Sequence, residues 1–141
     1  MAQWPSTEAS GAAGAGRDVG RPVSSDVPAF DAVEFDELSD MIGEEGVGEM
    51  VHIFEAETRQ RLRRLEAGGQ NLATQVREMH TLKGAAATVG APRLATLGLL
   101  AEQAARQGTS PTADNLAAIA DALEAFLAEL RVRDRSREPA L

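Results

Sequence analysis

A histidine and the chain's single lysine stand one helical turn apart in the stretch His80-Thr81-Leu82-Lys83-Gly84-Ala85-Ala86-Ala87-Thr88-Val89-Gly90. On a helix, His80, Lys83, Gly84 and Ala87 fall at i, i+3, i+4 and i+7 and share one face. That face presents an imidazole, a cation and then almost no side-chain bulk. A neutral imidazole is a nucleophile, and an ammonium beside it suits an anionic group arriving on the ring. Gly84 lowers helix propensity by about 1 kcal/mol relative to Ala. Local stability does not explain it. Close approach of another protein's backbone does, and Ala87 extends the clearance. The chain uses thirteen arginines and one lysine. An ammonium on a flexible stem can follow a phosphoryl group as it moves, whereas a forked guanidinium is bulkier and geometrically more demanding.

The elements that must hold this face can be read from spacing and punctuation. Asp31 is placed to cap a first short helix, with Glu34 at the reciprocal position and Phe30 and Phe35 at the positions of a hydrophobic staple. Phe35, Leu38 and Ile42 share its face, and it ends near Gly43. A second helix, from about Gly46 to Ala67, carries Val47, Met50, Val51, Phe54, Thr58, Leu62 and Leu65 at spacings of three and four. Gly68-Gly69 stops it. A third, from about Asn71 to Val89, has Leu72, Val76, Met79, Leu82 or Lys83, Ala86 and Val89 as its inward stripe, and Gly90 closes it. Pro92 opens a fourth that runs to about Gln107, with Leu94, Leu97, Ala101 and Ala104 inward. Ser110-Pro111 is read as cap and first turn of a fifth, to about Arg133, burying Leu116, Ile119, Leu123, Phe126 and Leu130. The arginines at its end read as solvated and compatible with the helix dipole. Short loops between long helices predict an all-α fold, an antiparallel up-down-up-down four-helix bundle with a short additional N-terminal helix.

The hairpin of the third and fourth helices turns near Ala91. His80 lies eleven residues before it and Glu102 eleven after, so the two stand at similar heights. Glu102 can then accept a hydrogen bond from His80 Nδ1–H, leaving Nε2 as the free nitrogen. The plainer reading is an ordinary solvated carboxylate.

Composition bounds the rest. The chain has 141 residues, enough for one domain and a tail. Residues 1–28, rich in Gly, Ala, Ser and Pro with a lone Trp4, read as a disordered leader, 29–134 as the domain and 135–141 as a frayed tail. Without cysteine there is no disulfide or thiolate metal site, and two histidines do not make a histidine-rich one. His52, beside the apolar stripe of the second helix, reads as a surface or boundary residue. The net charge is −8, and ten acidic residues with no Lys or Arg fall between Asp31 and Glu57. This argues against nucleic-acid binding. There is no apolar run of about 18 residues to span a membrane and no secretory signal, so the expected location is the cytoplasm.

His80-Thr81-Leu82-Lys83-Gly84, then Gly90-Ala91 and Leu94, Leu97 and Glu102, resemble the histidine-containing phosphotransfer (HPt) domain of bacterial two-component phosphorelays over about residues 30–130. The resemblance implies a phosphocarrier and not an autonomous kinase. His80 would take a phosphoryl group from a receiver-domain aspartyl phosphate, or from a kinase, and pass it to another receiver aspartate. It implies that Lys83 steadies the phosphate and Gly84 admits the receiver. Glu102 matches the position of a His-bonding Glu in the related domain of chemotaxis kinases. The expected partners are response-regulator receiver domains and a hybrid sensor histidine kinase. No cofactor is intrinsic, Mg²⁺ comes with the receiver, and the expected state is a monomer. Docking is expected at Gly84, Ala87, Met41 and Ile42. Ala85-Ala86 replace hydroxyl-bearing small residues, and Ala101 stands where Leu is usual; neither removes a group the transfer needs. The alternative is a helical interaction module that binds receivers without carrying phosphate. An excised piece of a larger kinase is a third reading, against which stand the initiating Met1 and the lack of kinase motifs.

Overall fold

The structure, a computed structural model, describes residues 26–136. Most of the expected leader and the last five residues of the expected tail lie outside the described residues. Those described form four α-helices and no strand: α1 (Ala32–Ala67), α2 (Leu72–Val89), α3 (Pro92–Arg106) and α4 (Ala113–Ser136). Each packs on two neighbours, α1 on α2 and α4, α3 on α2 and α4, and the α2–α3 contact is the most extensive.

The first two expected helices are joined. The chain is helical from Ala32 to Ala67 and leaves helical geometry only at Gly43 (φ 86°, ψ 160°). A single residue at positive φ, favourable for glycine, turns the axis there without a loop. Asp31 caps α1, accepting from the backbone N–H groups of Val33 and Glu34. Phe30 and Phe35 meet at 5.4 Å between ring centroids. Beyond the break, Val47, Val51, Phe54, Thr58, Leu62 and Leu65 are buried. They enclose the core with Met79, Leu82, Ala86 and Val89 of α2, Leu94, Leu97 and Ala101 of α3, and Leu116, Ile119, Leu123 and Phe126 of α4.

The segment before α1 is tied to the α2–α3 turn. Asp31 N–H donates to Gly90 O (2.9 Å) and Arg93 N–H to Pro28 O (3.0 Å). Arg93 Nε–H also donates to Val27 O (2.9 Å). Arg133, expected to be solvated, instead pairs with Asp36 and lies over the rings of Phe30 and Phe35. The aromatic staple gives the guanidinium a flat surface that water alone does not.

Three further expectations are corrected. At the start of α2, Leu72 is 38% exposed and Val76 only half-buried, while Gln75 is buried. Gln75 turns inward because its amide donates to Gln70 O (3.1 Å) in the preceding loop. On α3 the inward residue is Ala105, not Ala104. The cap of α4 is Thr112 and not Ser110. Thr112 N–H donates to Asn115 Oδ1 and Asn115 N–H to Thr112 Oγ1, a reciprocal box with Asn in the place of Glu.

The Thr58 hydroxyl is among the buried groups left unpaired in the described residues. Thr58 is 1% exposed, and its hydroxyl oxygen has no hydrogen-bond partner. A buried hydroxyl without a partner costs more than it contributes. Thr58→Val keeps the shape and removes that cost, so it should raise stability by about 1 kcal/mol in denaturant titration. An unchanged or lowered midpoint would contradict this.

Candidate functional site

Helix α2 is a rigid platform because its inner face is fixed. Met79, Leu82 and Ala86 are fully buried, and Val89 nearly so. Asn71 caps its start by accepting from Thr74 N–H. Gly90, in the left-handed region, ends it and donates to Ala86 O and Ala87 O. His80, Gly84 and Ala87 are exposed on the outer face, with Lys83 at its border.

The structure brings three of the predicted residues together around one carboxylate. Glu102, on α3, has a side chain only 5% exposed, against 62% for His80. His80 Nδ1 lies 3.1 Å from Glu102 Oε2. Lys83 Nζ lies 3.1 Å from Oε1. That contact is an ion pair and lies outside hydrogen-bond geometry, since Oε1 has no hydrogen-bonded partner. A fourth residue completes the cluster. Arg106, one turn beyond Glu102, donates to Oε2 from Nε (3.2 Å) and Nη2 (2.7 Å). Sequence reasoning missed it, although a Glu-Arg pair at i, i+4 was there to be read.

The charge on Glu102 bears on which partner donates. Burial alone would raise the Glu102 carboxyl, but interactions with Arg106, Lys83 and His80 outweigh it and hold the group at about 2. Glu102 is therefore ionised at neutral pH, and an ionised carboxylate only accepts. In this contact His80 Nδ1 is therefore the donor. In the neutral form of an imidazole, a proton on Nδ1 leaves Nε2 without one, and the ring is exposed.

A second carboxylate hub lies two residues before His80 on α2, where it meets arginines of α1. Glu78 accepts from Arg61 Nε (2.8 Å), from Arg64 Nε and Nη2 (3.0 and 2.9 Å), and from Gln70 Nε2 (3.2 Å). Hydrogen bonding from Arg64 lowers its carboxyl against the opposing effect of burial, and Gln70 and Arg61 add to this, to about 2. Both glutamates thus sit below their unfolded value of 4.5. Each stabilises the fold in full above that value, and the contribution fades as pH falls towards 2. A shift of this size corresponds to about 3 kcal/mol at most per group. Screening around the exposed partners Arg64 and Arg106 reduces it. The melting temperature should fall steeply between pH 4.5 and 2, and less steeply in Glu78→Gln. A flat profile across that window would contradict the assignment.

The predicted docking residues are exposed. Gly84 faces open space, and a Cβ added there meets nothing within 4 Å. Met41 and Ile42 are exposed just before the Gly43 break. Two shallow clefts border α2. One, against α1, is lined by Met50, Ile53, Phe54, Ala85, Thr88 and Val89. The other, against α3, is lined by Leu72, Ala73, Val76, Ala105, Arg106 and Gly108. Ile53 is 55% exposed and was not singled out from sequence. Its signal was an apolar residue off the inward stripe of α1. His52 is exposed. No group of three or more His, Cys, Asp or Glu among the described residues could hold a metal ion. None of the described helices is long and apolar enough to cross a membrane.

The family model of the Hpt domain matches residues 49–131, more than half of the chain. No curated protein and no solved structure matches it. Hpt domains are histidine-phosphotransfer modules of phosphorelays, phosphocarriers and not kinases, and they work with receiver domains and kinases of two-component systems.

Proposed function

We propose that this chain, which belongs to the Hpt domain family, carries a phosphoryl group on His80 Nε2 between receiver-domain aspartates. The observation that carries the reading is the His80–Glu102 contact. It leaves one basic nitrogen free on an exposed ring and a carboxylate behind the other. The Nε2 lone pair attacks the phosphorus of an aspartyl phosphate, the bond from phosphorus to the aspartate oxygen breaks, and the aspartate leaves as a carboxylate. The proton on Nδ1 stays. The ring gains positive charge as the N–P bond forms, and the Glu102 carboxylate faces that charge. Onward transfer reverses these steps on a second receiver. The partner supplies Mg²⁺ and in-line alignment, and this chain supplies the positioned imidazole.

Lys83 acts second. Its ammonium is partly exposed and rests on Glu102. A phosphoryl dianion on Nε2 offers it a stronger counter-charge, and Arg106 remains to hold Glu102. Gly84 and Ala87 leave room for the receiver, which also meets Met41, Ile42 and the cleft around Ile53. We further read the bundle as antiparallel, with the segment before Gly43 as its short additional helix. The protein acts as a cytoplasmic monomer with receivers and a hybrid sensor kinase as partners and no nucleic acid.

The test is transfer of label from a phosphorylated receiver in the presence of Mg²⁺. The wild type should become an acid-labile, alkali-stable phosphoprotein, and His80→Gln should not. A wild type that binds receivers yet stays unlabelled would establish the alternative, a helical docking module. Gly84 gives an independent check with effects of opposite sign. Gly84→Ala adds a methyl where nothing within the chain opposes it, so stability should rise by up to about 1 kcal/mol. Receiver affinity should fall. If both properties improve together, Gly84 is not clearance for a partner.

A further inference from the structure

We infer that Gly98, in α3, is a positioning residue for the transfer: the close α2–α3 contact it permits is what lets Glu102 reach His80. The inference rests on the phosphotransfer reading for its functional meaning, and on geometry alone for its structural part.

Two glycines sit inside the helices of this pair, and they are opposites. Gly84 faces open space. Gly98 is buried, and a Cβ added to it would stand 3.2 Å from Lys83 N, 3.3 Å from Lys83 Cα and 3.5 Å from Lys83 Cβ. The first two are backbone atoms inside a helix. They cannot move aside as a side chain can, so relief requires the helices to part by a few tenths of an ångström. Alanine is the better helix former. Local propensity therefore opposes glycine at this position, and only the contact across to α2 favours it.

The consequence falls on the cluster one turn away. Gly98 and Glu102 are at i and i+4 and lie on the same side of α3. Gly98 touches Lys83, and Glu102 reaches both Lys83 and His80. Both of these reaches are 3.1 Å, and for the His80 hydrogen bond that is the long end of a range of about 2.7–3.2 Å. Parting the helices by a few tenths of an ångström takes the His80 contact out of that range. Arg106 is on the same helix as Glu102, so its bonds survive the separation. Glu102 would stay anchored to α3 and lose the imidazole. The proton of His80 would then no longer be confined to Nδ1, and Nε2 would be protonated, and so blocked, for part of the time.

The experiment compares wild type, Gly98→Ala, Glu102→Gln and the double variant. Nitrogen-15 NMR of the imidazole reports the tautomer of His80, and label transfer from a phosphorylated receiver reports the rate. Gly98→Ala should move His80 away from the Nδ1–H tautomer and slow transfer by about tenfold, the scale of one charge-assisted hydrogen bond. Because Gly98 acts through Glu102, the double variant should transfer no more slowly than Glu102→Gln alone. A tautomer unchanged in Gly98→Ala, or two effects that multiply, would overturn the inference. Should Gly98→Ala fail to fold, Glu102→Asp withdraws the carboxylate by one methylene without touching the helix contact. It should give the same tautomer shift, and its absence would equally overturn the inference. A tautomer shift in a protein that accepts no phosphoryl group would sink the functional reading and support the positional one.

Discussion

Glu102→Gln should cost the domain about 2 kcal/mol of stability and slow phosphoryl transfer by about 10- to 100-fold. The substitution keeps the shape and removes the charge. Three cationic or donating groups converge on this carboxylate, two of them on one oxygen. Removing one member of a buried charged pair typically costs about 3–5 kcal/mol because its partner is left buried. Here the partners reach water: the side chains of Arg106 and His80 are mostly exposed and that of Lys83 partly so. They can turn outwards, which places the loss at the lower figure. The kinetic effect is separate and of similar size. A hydrogen bond to an ionised acceptor is worth about 1.5–3 kcal/mol, and in the proposed transfer it would both fix the tautomer and face the charge that develops on the ring. Glu102→Gln should also flatten the acid limb of the stability profile, since the shifted carboxyl is gone. Denaturant titration and single-turnover label transfer measure the two effects. Normal transfer in a folded Glu102→Gln variant would remove the residue from the mechanism.

Gly90→Ala should have the largest effect on the fold, a loss of about 3 kcal/mol. Gly90 has φ 84° and ψ 37°, a conformation that costs an L-residue about 1–2 kcal/mol. Its Cβ would also stand 2.9 Å from the carbonyl oxygen of Asp31 and 3.3 Å from the nitrogen of Phe35. That contact sits beside the Asp31 N–H to Gly90 O bond, so relieving it pulls the start of α1 off the α2–α3 turn. Overpacking against backbone adds about 1–3 kcal/mol. The release should extend to Phe30, which packs on Phe35 and Phe126. Denaturant titration should therefore show a lower midpoint, and amide exchange should quicken through Asp31–Phe35. A change below about 1 kcal/mol would mean that the turn relaxes freely and does not anchor the N-terminal segment.

What the sequence made legible was periodic or paired. The α1 stripe from Val47 to Leu65 and the α4 stripe from Leu116 to Leu130 follow from spacing alone, because long amphipathic helices bury what their period aligns. Glu102 was found by counting from the turn, since a tight hairpin fixes heights. Some features depended on contacts that no local pattern encodes. Lys83 was read towards an incoming phosphate and rests on Glu102, because a buried carboxylate draws any cation within reach. Gly98 was passed over because a helical glycine looks the same whether it faces solvent or another helix. Arg133 was read as a solvated end because its aromatic and acidic neighbours lie nearly a hundred residues earlier. The α4 cap falls two residues beyond Ser110 because Ser110-Pro111, a good local signal, is outcompeted by the reciprocal Thr112–Asn115 box.

The central claim is that His80 receives phosphate on Nε2 because Glu102 holds the proton on Nδ1. The most direct measurement is the position of the phosphoryl group after incubation with a phosphorylated receiver and Mg²⁺. Mass spectrometry locates the residue, and phosphorus and nitrogen NMR identify the ring atom. The account predicts a single phosphoryl group on Nε2 of His80. Phosphorylation on Nδ1, on His52, or on no residue at all would contradict it.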